Sequence, residues 1–172
     1  FLPYMVDAIV LLRQQLTDQV SQRQLRVCKY RGSAFAESVF PLLIGPTGIE
    51  VASFGLKTEL DYAVSTERVS TGIPHLDAML QQGYYRGTSV LISGAPGTAK
   101  STLCGAFIQA ACQRGERALY VSFDEGGSEI VRNLASVNIH LEPAIHSGLL
   151  CMYAARTQGR SAEAHLAHVR SL

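Results

Sequence analysis

The segment Gly94-Ala95-Pro96-Gly97-Thr98-Ala99-Lys100-Ser101 gathers two glycines, a lysine and a hydroxyl side chain into one short loop. That is the make-up of a phosphate-binding loop. A triphosphate needs many hydrogen-bond donors close to its oxygens, and a side chain on every loop residue would block that approach. Gly94 and Gly97 keep the loop open, so backbone N–H groups can turn inward. A helix starting near Lys100 adds partial positive charge at its N-terminus. Lys100 can reach the β- and γ-phosphates, and the Ser101 hydroxyl can ligate Mg²⁺. Thr102 offers its backbone as the next phosphate contact. The expected ligand is ATP with Mg²⁺. It would be cradled by residues 94–102, with Ser101 as metal ligand. One position departs from G-x-x-x-x-G-K-[ST]: Ala99 stands where that pattern has glycine. The expectation is that the helix already begins there and gives Ala99 helical dihedrals.

Two carboxylates follow the next apolar run, Ala118-Leu119-Tyr120-Val121-Ser122-Phe123. A nearly continuous run of this kind suits a strand buried in a parallel sheet. Functional residues of such sheets collect at the carboxyl ends of strands, so Asp124 and Glu125 are expected to point toward the phosphates. A carboxylate there can orient or deprotonate the attacking water. Asp124, Glu125 and Lys100 form the expected catalytic set.

These residues need elements to hold them. Ser89–Ser93 reads as the strand before the loop. Residues Lys100 to about Arg114 read as the helix after it, with Leu103, Phe107, Ala110 and Ala111 on one face and Gly115 as the stop. Ser128–Val137 is helical by pattern and Leu149–Tyr153 reads as a strand. Ser161–Leu172 reads as a helix capped by Ser161, with Glu163 in its first turn. From residue 88 the order is β-α-β-α-β-α, which predicts an α/β fold: a mostly parallel sheet covered by helices on both faces. Pro74 is placed to open a short helix that Gln81-Gln82-Gly83 ends.

The N-terminal third does not follow this order. Val6–Leu12 reads as a strand, and Gln24–Tyr30 alternates polar and apolar residues as a half-buried strand does. Residues 41–44 and 48–51 flank Gly45-Pro46-Thr47, a second hairpin with its turn chemistry in place. These hairpins are expected to be the end of a preceding domain. The organisation is then 1–51 for that end, 52–68 for a linker and 69–172 for the first half of a new unit. The chain opens on Phe1 inside an apolar segment, so it reads as a piece of a longer protein.

Composition limits the alternatives. The chain has 172 residues, 47% of them apolar, and a net charge of +1. Near-neutral charge gives no electrostatic case for nucleic acid over the whole surface. No stretch approaches the roughly 18 apolar residues of a membrane span. Cys28, Cys104, Cys112 and Cys151 form no C-x-x-C pair and no zinc-ligand spacing. They are expected to be small buried hydrophobes in a reducing cytoplasm.

Taken together, the motifs resemble those of the KaiC family of RecA-like P-loop NTPases. Ser70-Thr71-Gly72-Ile73-Pro74-His75-Leu76-Asp77 is similar to the family's opening S-T-G-I-x-x-L-D. Gly83-Tyr84-Tyr85-Arg86-Gly87 resembles its G-G-x-x-x-G turn, with Gln82 in place of one glycine. The loop and Gly115–Glu125 follow in order, and Arg132-Asn133 and Ser136 match the next helix. Upstream, residues 7–13 resemble the closing strand of such a domain. Leu25–Ser33 resembles L-x-V-x-K-x-R-G, and Pro41 with Gly48-Ile49 resembles P-F-x-I-x-x-x-G-I.

The resemblance implies tandem ATPase domains assembled into hexameric rings, with ATP between subunits. It implies that Lys29 and Arg31 act in trans on ATP held by a neighbouring subunit, with Tyr30 and Ser33 lining that site. It also implies Ser/Thr autophosphorylation and signalling or clock proteins as partners. Phe35 and Gly45-Pro46 depart from the family's nucleotide-contacting pattern. The family's second magnesium acid would follow Leu172, so the chain alone is expected to hydrolyse ATP poorly. A recombination ATPase of the RecA/RadA type and a non-hydrolysing, ATP-dependent oligomeric scaffold are the competing readings.

Overall fold

Alternating side chains in the first fifty residues fold into antiparallel strands. The computed structural model describes residues 5–17, 20–45, 48–51, 64–158 and 161–172. Strands β1 (Ala8–Thr17), β2 (Val20–Tyr30), β3 (Val39–Gly45) and β4 (Gly48–Val51) form one sheet in the order β1-β2-β3-β4, every neighbouring pair antiparallel. The register shifts between Ile9 and Val10, where Ile9 pairs with Lys29 and Val10 with Val27. Cys28 is therefore the extra residue of a β-bulge. The turn at Pro46-Thr47 and the linker expected over 52–68, as far as residue 63, lie outside the described residues.

The chain divides into two compact units, Phe1–Glu59 with Thr157–Leu172, and Leu60–Arg156. In the first unit, helix Ala162–Arg170 starts as the sequence predicts. The Ser161 hydroxyl accepts the Ala164 N–H at 3.3 Å, and Glu163 lies in the first turn.

The second unit opens with β5 (Arg68–Val69), α1 (Pro74–Met79) and β6 (Tyr84–Tyr85). Pro74 starts α1, and the left-handed residues Gln81, Gln82 and Gly83 end it. Asp77 organises this segment. Its carboxylate accepts the Ser70 hydroxyl, and it accepts the Thr71 N–H and hydroxyl at 2.7 Å each. Burial pushes the Asp77 carboxyl up, but these bonds outweigh it and hold the acid below its ordinary range. Gly72 sits so close to the next long helix that a Cβ would lie 2.4 Å from the Ala106 carbonyl oxygen. Its φ of +83° also requires glycine.

Helix α2 (Lys100–Gln113), β7 (Ala118–Ser122), α3 (Gly127–Ala135), α4 (Glu142–His146) and β8 (Leu150–Ala154) complete the second unit. Strands β7 and β8 pair in parallel, Ala118 opposite Leu150 and Ser122 opposite Ala154. The core joins Ala106, Ile108 and Cys112 of α2 with Ile130 and Leu134 of α3, Ile139, Leu141 and Leu150.

Four expectations need correction. Ser89–Ser93 is not a strand. A strand needs a partner, and among the described residues β7 and β8 pair only with each other. Leu91 is accordingly 90% exposed. Among the described residues the parallel sheet is covered on one face at β7: Ala118 and Tyr120 pack on the core, while Leu119 and Val121 stay exposed. Helix α2 buries Gly105, Ala106, Ile108, Ala111 and Cys112 rather than one stripe through Leu103 and Phe107. That second face packs on α3, with a Cβ on Gly105 only 2.7 Å from Leu134. Of the four free cysteines only Cys112 is buried; Cys28 and Cys104 are exposed and Cys151 is intermediate.

Candidate functional site

The loop's own bonds set its shape. The Thr98 hydroxyl donates to the Ala95 carbonyl at 2.8 Å. Any Cβ at Gly94 would meet that hydroxyl at 2.5 Å, so this glycine makes room inside the loop. Gly97 has φ +82° and supplies a turn that other residues disfavour.

Ala99 is the main correction at the site. It is not helical: its φ and ψ are +63° and +26°, in the left-handed region, and it is the N-cap of α2. The physical reason is the turn itself. Left-handed residues at 97 and 99 give this turn the dihedral character of a backbone nest, the shape that can receive anions. Alanine does not clash there outright, but an L-residue in this region costs about 1–2 kcal/mol.

Helix α2 has no side-chain cap. The Leu103 N–H takes the Ala99 carbonyl, and the first-turn N–H groups at Lys100, Ser101 and Thr102 face the concavity's end of the helix, where four donors have no partner within a helix. Lys100 completes the cradle. Its ammonium donates to the carbonyls of Gly94 at 2.8 Å and Ala95 at 2.9 Å. A nest, an uncapped helix N-terminus and a lysine in one loop fit a polyphosphate, and the Ser101 hydroxyl beside them is a hard oxygen donor that suits Mg²⁺.

Asp124 and Glu125 lie in the exposed bend after β7. The Glu125 N–H donates to the Ser122 hydroxyl at 3.1 Å, which fixes the start of that bend. Sequence reading passed over Tyr120, one phenol inside an otherwise apolar strand, which lines the cleft beside the loop together with Cys104. Burial pushes the Tyr120 phenol up, and the nearby Cys104 and Glu125 add to that.

Beside the loop, Val90, Ile92, Leu103, Cys104, Phe107 and Tyr120 are among the lining of a cleft of about 570 Å³. Its rim holds an ionic cluster. Arg86 bonds Glu67 at 2.8 Å and Glu116 at 2.7 Å, and Arg114 bonds Glu116 at 3.2 Å. Arg114 and Arg86 hold the Glu116 carboxyl down at about 2.

The other expected site residues belong to the first unit. Lys29 lies one residue before the end of β2, with its ammonium on the Val6 carbonyl at 2.7 Å. Arg31 pairs with Asp7 at 3.4 Å, and its N–H takes the Asp7 carbonyl. Tyr30 is half exposed, and the Ser33 hydroxyl donates to the Ala34 carbonyl. The four lie together at one end of the antiparallel sheet. Among the described residues no group of three or more His, Cys, Asp or Glu could hold a metal ion. No described helix is long and apolar enough to cross a membrane.

Comparison with known proteins gives a consistent answer. A family model described as "ATPase: KaiC" matches residues 69–172. The circadian clock protein KaiC2 of Synechocystis sp. is 42% identical over 98% of this chain and 30% of its own length. The circadian clock oscillator protein KaiC of Parasynechococcus marenigrum is 32% identical over 98% of this chain and 33% of its own length. That of Prochlorococcus marinus subsp. pastoris is 33% identical over the same shares. The chain thus spans about a third of the length of these relatives.

Proposed function

The chain belongs to the KaiC family of ATPases, and on that premise we propose that residues 94–102 bind ATP with Mg²⁺ and that the full-length protein hydrolyses it. One observation carries the reading: the left-handed turn at Gly97 and Ala99 leads into the uncapped N-terminus of α2, with Lys100 folded over it. Bound Mg²⁺·ATP would supply an activated γ-phosphoryl group. The chain's residues do the rest. Backbone N–H groups of the loop and Thr102 hold the phosphates, Lys100 places its charge on them, and Ser101 offers its oxygen to the metal. Glu125, in the bend after β7 with its N–H on the Ser122 hydroxyl, is a candidate general base. Asp124 is the second carboxylate of that pair.

The same reading assigns residues 1–51 to the end of a first ATPase domain, 52–68 to a linker and 69–172 to the start of a second. Lys29 and Arg31, with Tyr30 and Ser33 beside them, would put positive charge on the γ-phosphate of nucleotide held by a neighbouring subunit of a hexameric ring. Autophosphorylation on Ser/Thr, a cytoplasmic location and clock-protein partners extend it, and the relatives' names suggest a clock role. The DNA-recombination reading has no support among those relatives, and the net charge of +1 does not favour it. Phosphate release from ATP by the full-length protein tests the proposal: Lys100→Ala should lose the turnover contributed by this loop's site, and a rate equal to the wild type would refute it.

A further inference from the structure

We propose that Thr98 is a positioning residue of the phosphate loop: its hydroxyl keeps hold of the Ala95 carbonyl when a phosphate draws the Lys100 ammonium away. This rests on the reading of residues 94–102 as an ATP·Mg²⁺ site.

Three donors converge on one oxygen. The Ala95 carbonyl accepts the Thr98 hydroxyl at 2.8 Å, the Lys100 ammonium at 2.9 Å and the Thr98 N–H at 3.3 Å. A carbonyl oxygen offers two lone pairs, so one donor is in excess. The N–H bond lies beyond the usual range of about 2.7–3.2 Å and is the weak member. Gly94 seats the threonine. A Cβ there would lie 2.5 Å from the Thr98 hydroxyl oxygen and 3.3 Å from its Cβ. Gly94 does not have a positive φ, so glycine stands there for room, and the Thr98 side chain takes that room.

The two short bonds have different fates. A bound phosphate competes for the lysine, because an ionised oxygen bonds an ammonium about twice as strongly as a neutral carbonyl does. The hydroxyl is neutral and stays with the carbonyl. In the empty loop Lys100 and Thr98 hold the Ala95 oxygen together, so losing the hydroxyl leaves a short bond in place. In the loaded loop the hydroxyl's is the short bond that remains. It runs from residue 98 back to 95 and so closes the turn that contains Gly97 and leads into Ala99. The hydroxyl therefore matters more with nucleotide than without. A residue that only stiffened the fold would act equally in both states.

Thr98→Ala and Thr98→Ser differ by that hydroxyl alone. In the full-length protein, ADP with Mg²⁺ is titrated calorimetrically into each and read at the site that Lys100→Ala removes. Melting is recorded without nucleotide. One hydrogen bond lost from the loaded state alone corresponds to about 2–10-fold weaker binding. The expected result is that loss for Thr98→Ala and an affinity within about twofold of the wild type for Thr98→Ser. The nucleotide-free melting temperature should be the same for both variants. Unchanged ADP affinity in Thr98→Ala would overturn the proposal. So would a Thr98→Ser protein as weak as Thr98→Ala, which would assign the effect to the methyl group. A nucleotide-free melting temperature lowered by Thr98→Ala and restored by Thr98→Ser would overturn it too, because the hydroxyl would already be holding the empty loop. If Lys100→Ala removes no ADP site, the loop reading falls and this inference with it.

Discussion

The Lys100 ammonium donates to the Gly94 carbonyl at 2.8 Å, so the loop is closed by its own lysine. Ala95 receives the second bond at 2.9 Å. On the proposed reading a phosphate would take this lysine from two neutral carbonyls, an exchange favoured because an ionised acceptor bonds an ammonium about twice as strongly. The backbone need not be rebuilt. The turn at Gly97 and Ala99 and the first turn of α2 already have their shape.

Ala99 carries a cost that glycine would not. Its left-handed φ of +63° is worth about 1–2 kcal/mol against an L-residue. Glycine gives back about 0.4–1 kcal/mol through the freer unfolded chain. Ala99→Gly is expected to stabilise the fold by about 0.5–1 kcal/mol. Urea unfolding of the two proteins checks this. A destabilised Ala99→Gly would mean that the loop adopts a different conformation in solution.

The ionic cluster at the cleft rim predicts a pH response. Arg114 and Arg86 hold Glu116 at about 2, below its ordinary 4.5. A carboxyl depressed on folding stabilises the protein above its unfolded pKa, and that contribution fades as pH falls through the folded one. The melting temperature should therefore drop between about pH 5 and pH 2. Glu116→Gln should melt lower at neutral pH and lose less over that window. Parallel melting curves would show that solvent screens the cluster completely.

Most of this was legible in local pattern. The Ser161 cap, the Pro74 start and the Lys100-Ser101 pair of the loop each act within a few residues, so sequence alone displays them. What was not legible depends on distant partners. Ser89–Ser93 has a strand's composition, but no described neighbour lies alongside to pair with it. Ala99 looked helical because its dihedrals are set by the nest and not by its own preference. Tyr120 read as one more apolar strand residue, since only the fold brings it beside Cys104 in the cleft. The bulge at Cys28 likewise appears only once β1 and β2 are paired.

Lys29 and Arg31 carry a prediction of a different kind. Lys29→Ala subunits mixed into rings with wild-type subunits should slow single-turnover hydrolysis of ATP preloaded on the wild-type neighbours. Removing a charge that stabilises the transferring phosphoryl group costs on the order of 100-fold at each affected site. Unchanged hydrolysis on the neighbours, with loss confined to the variant's own ATP, would contradict a role in trans.

The central claim is that residues 94–102 hold the phosphates of ATP. Calorimetric titration of ATP with Mg²⁺ into the full-length protein, wild type against Lys100→Ala, tests it most directly. Should a first domain hold a second site, the claim concerns the loss of one site from the stoichiometry. Lys100→Ala is expected to lose binding at the site formed by this loop. An affinity and stoichiometry equal to the wild type would contradict the account.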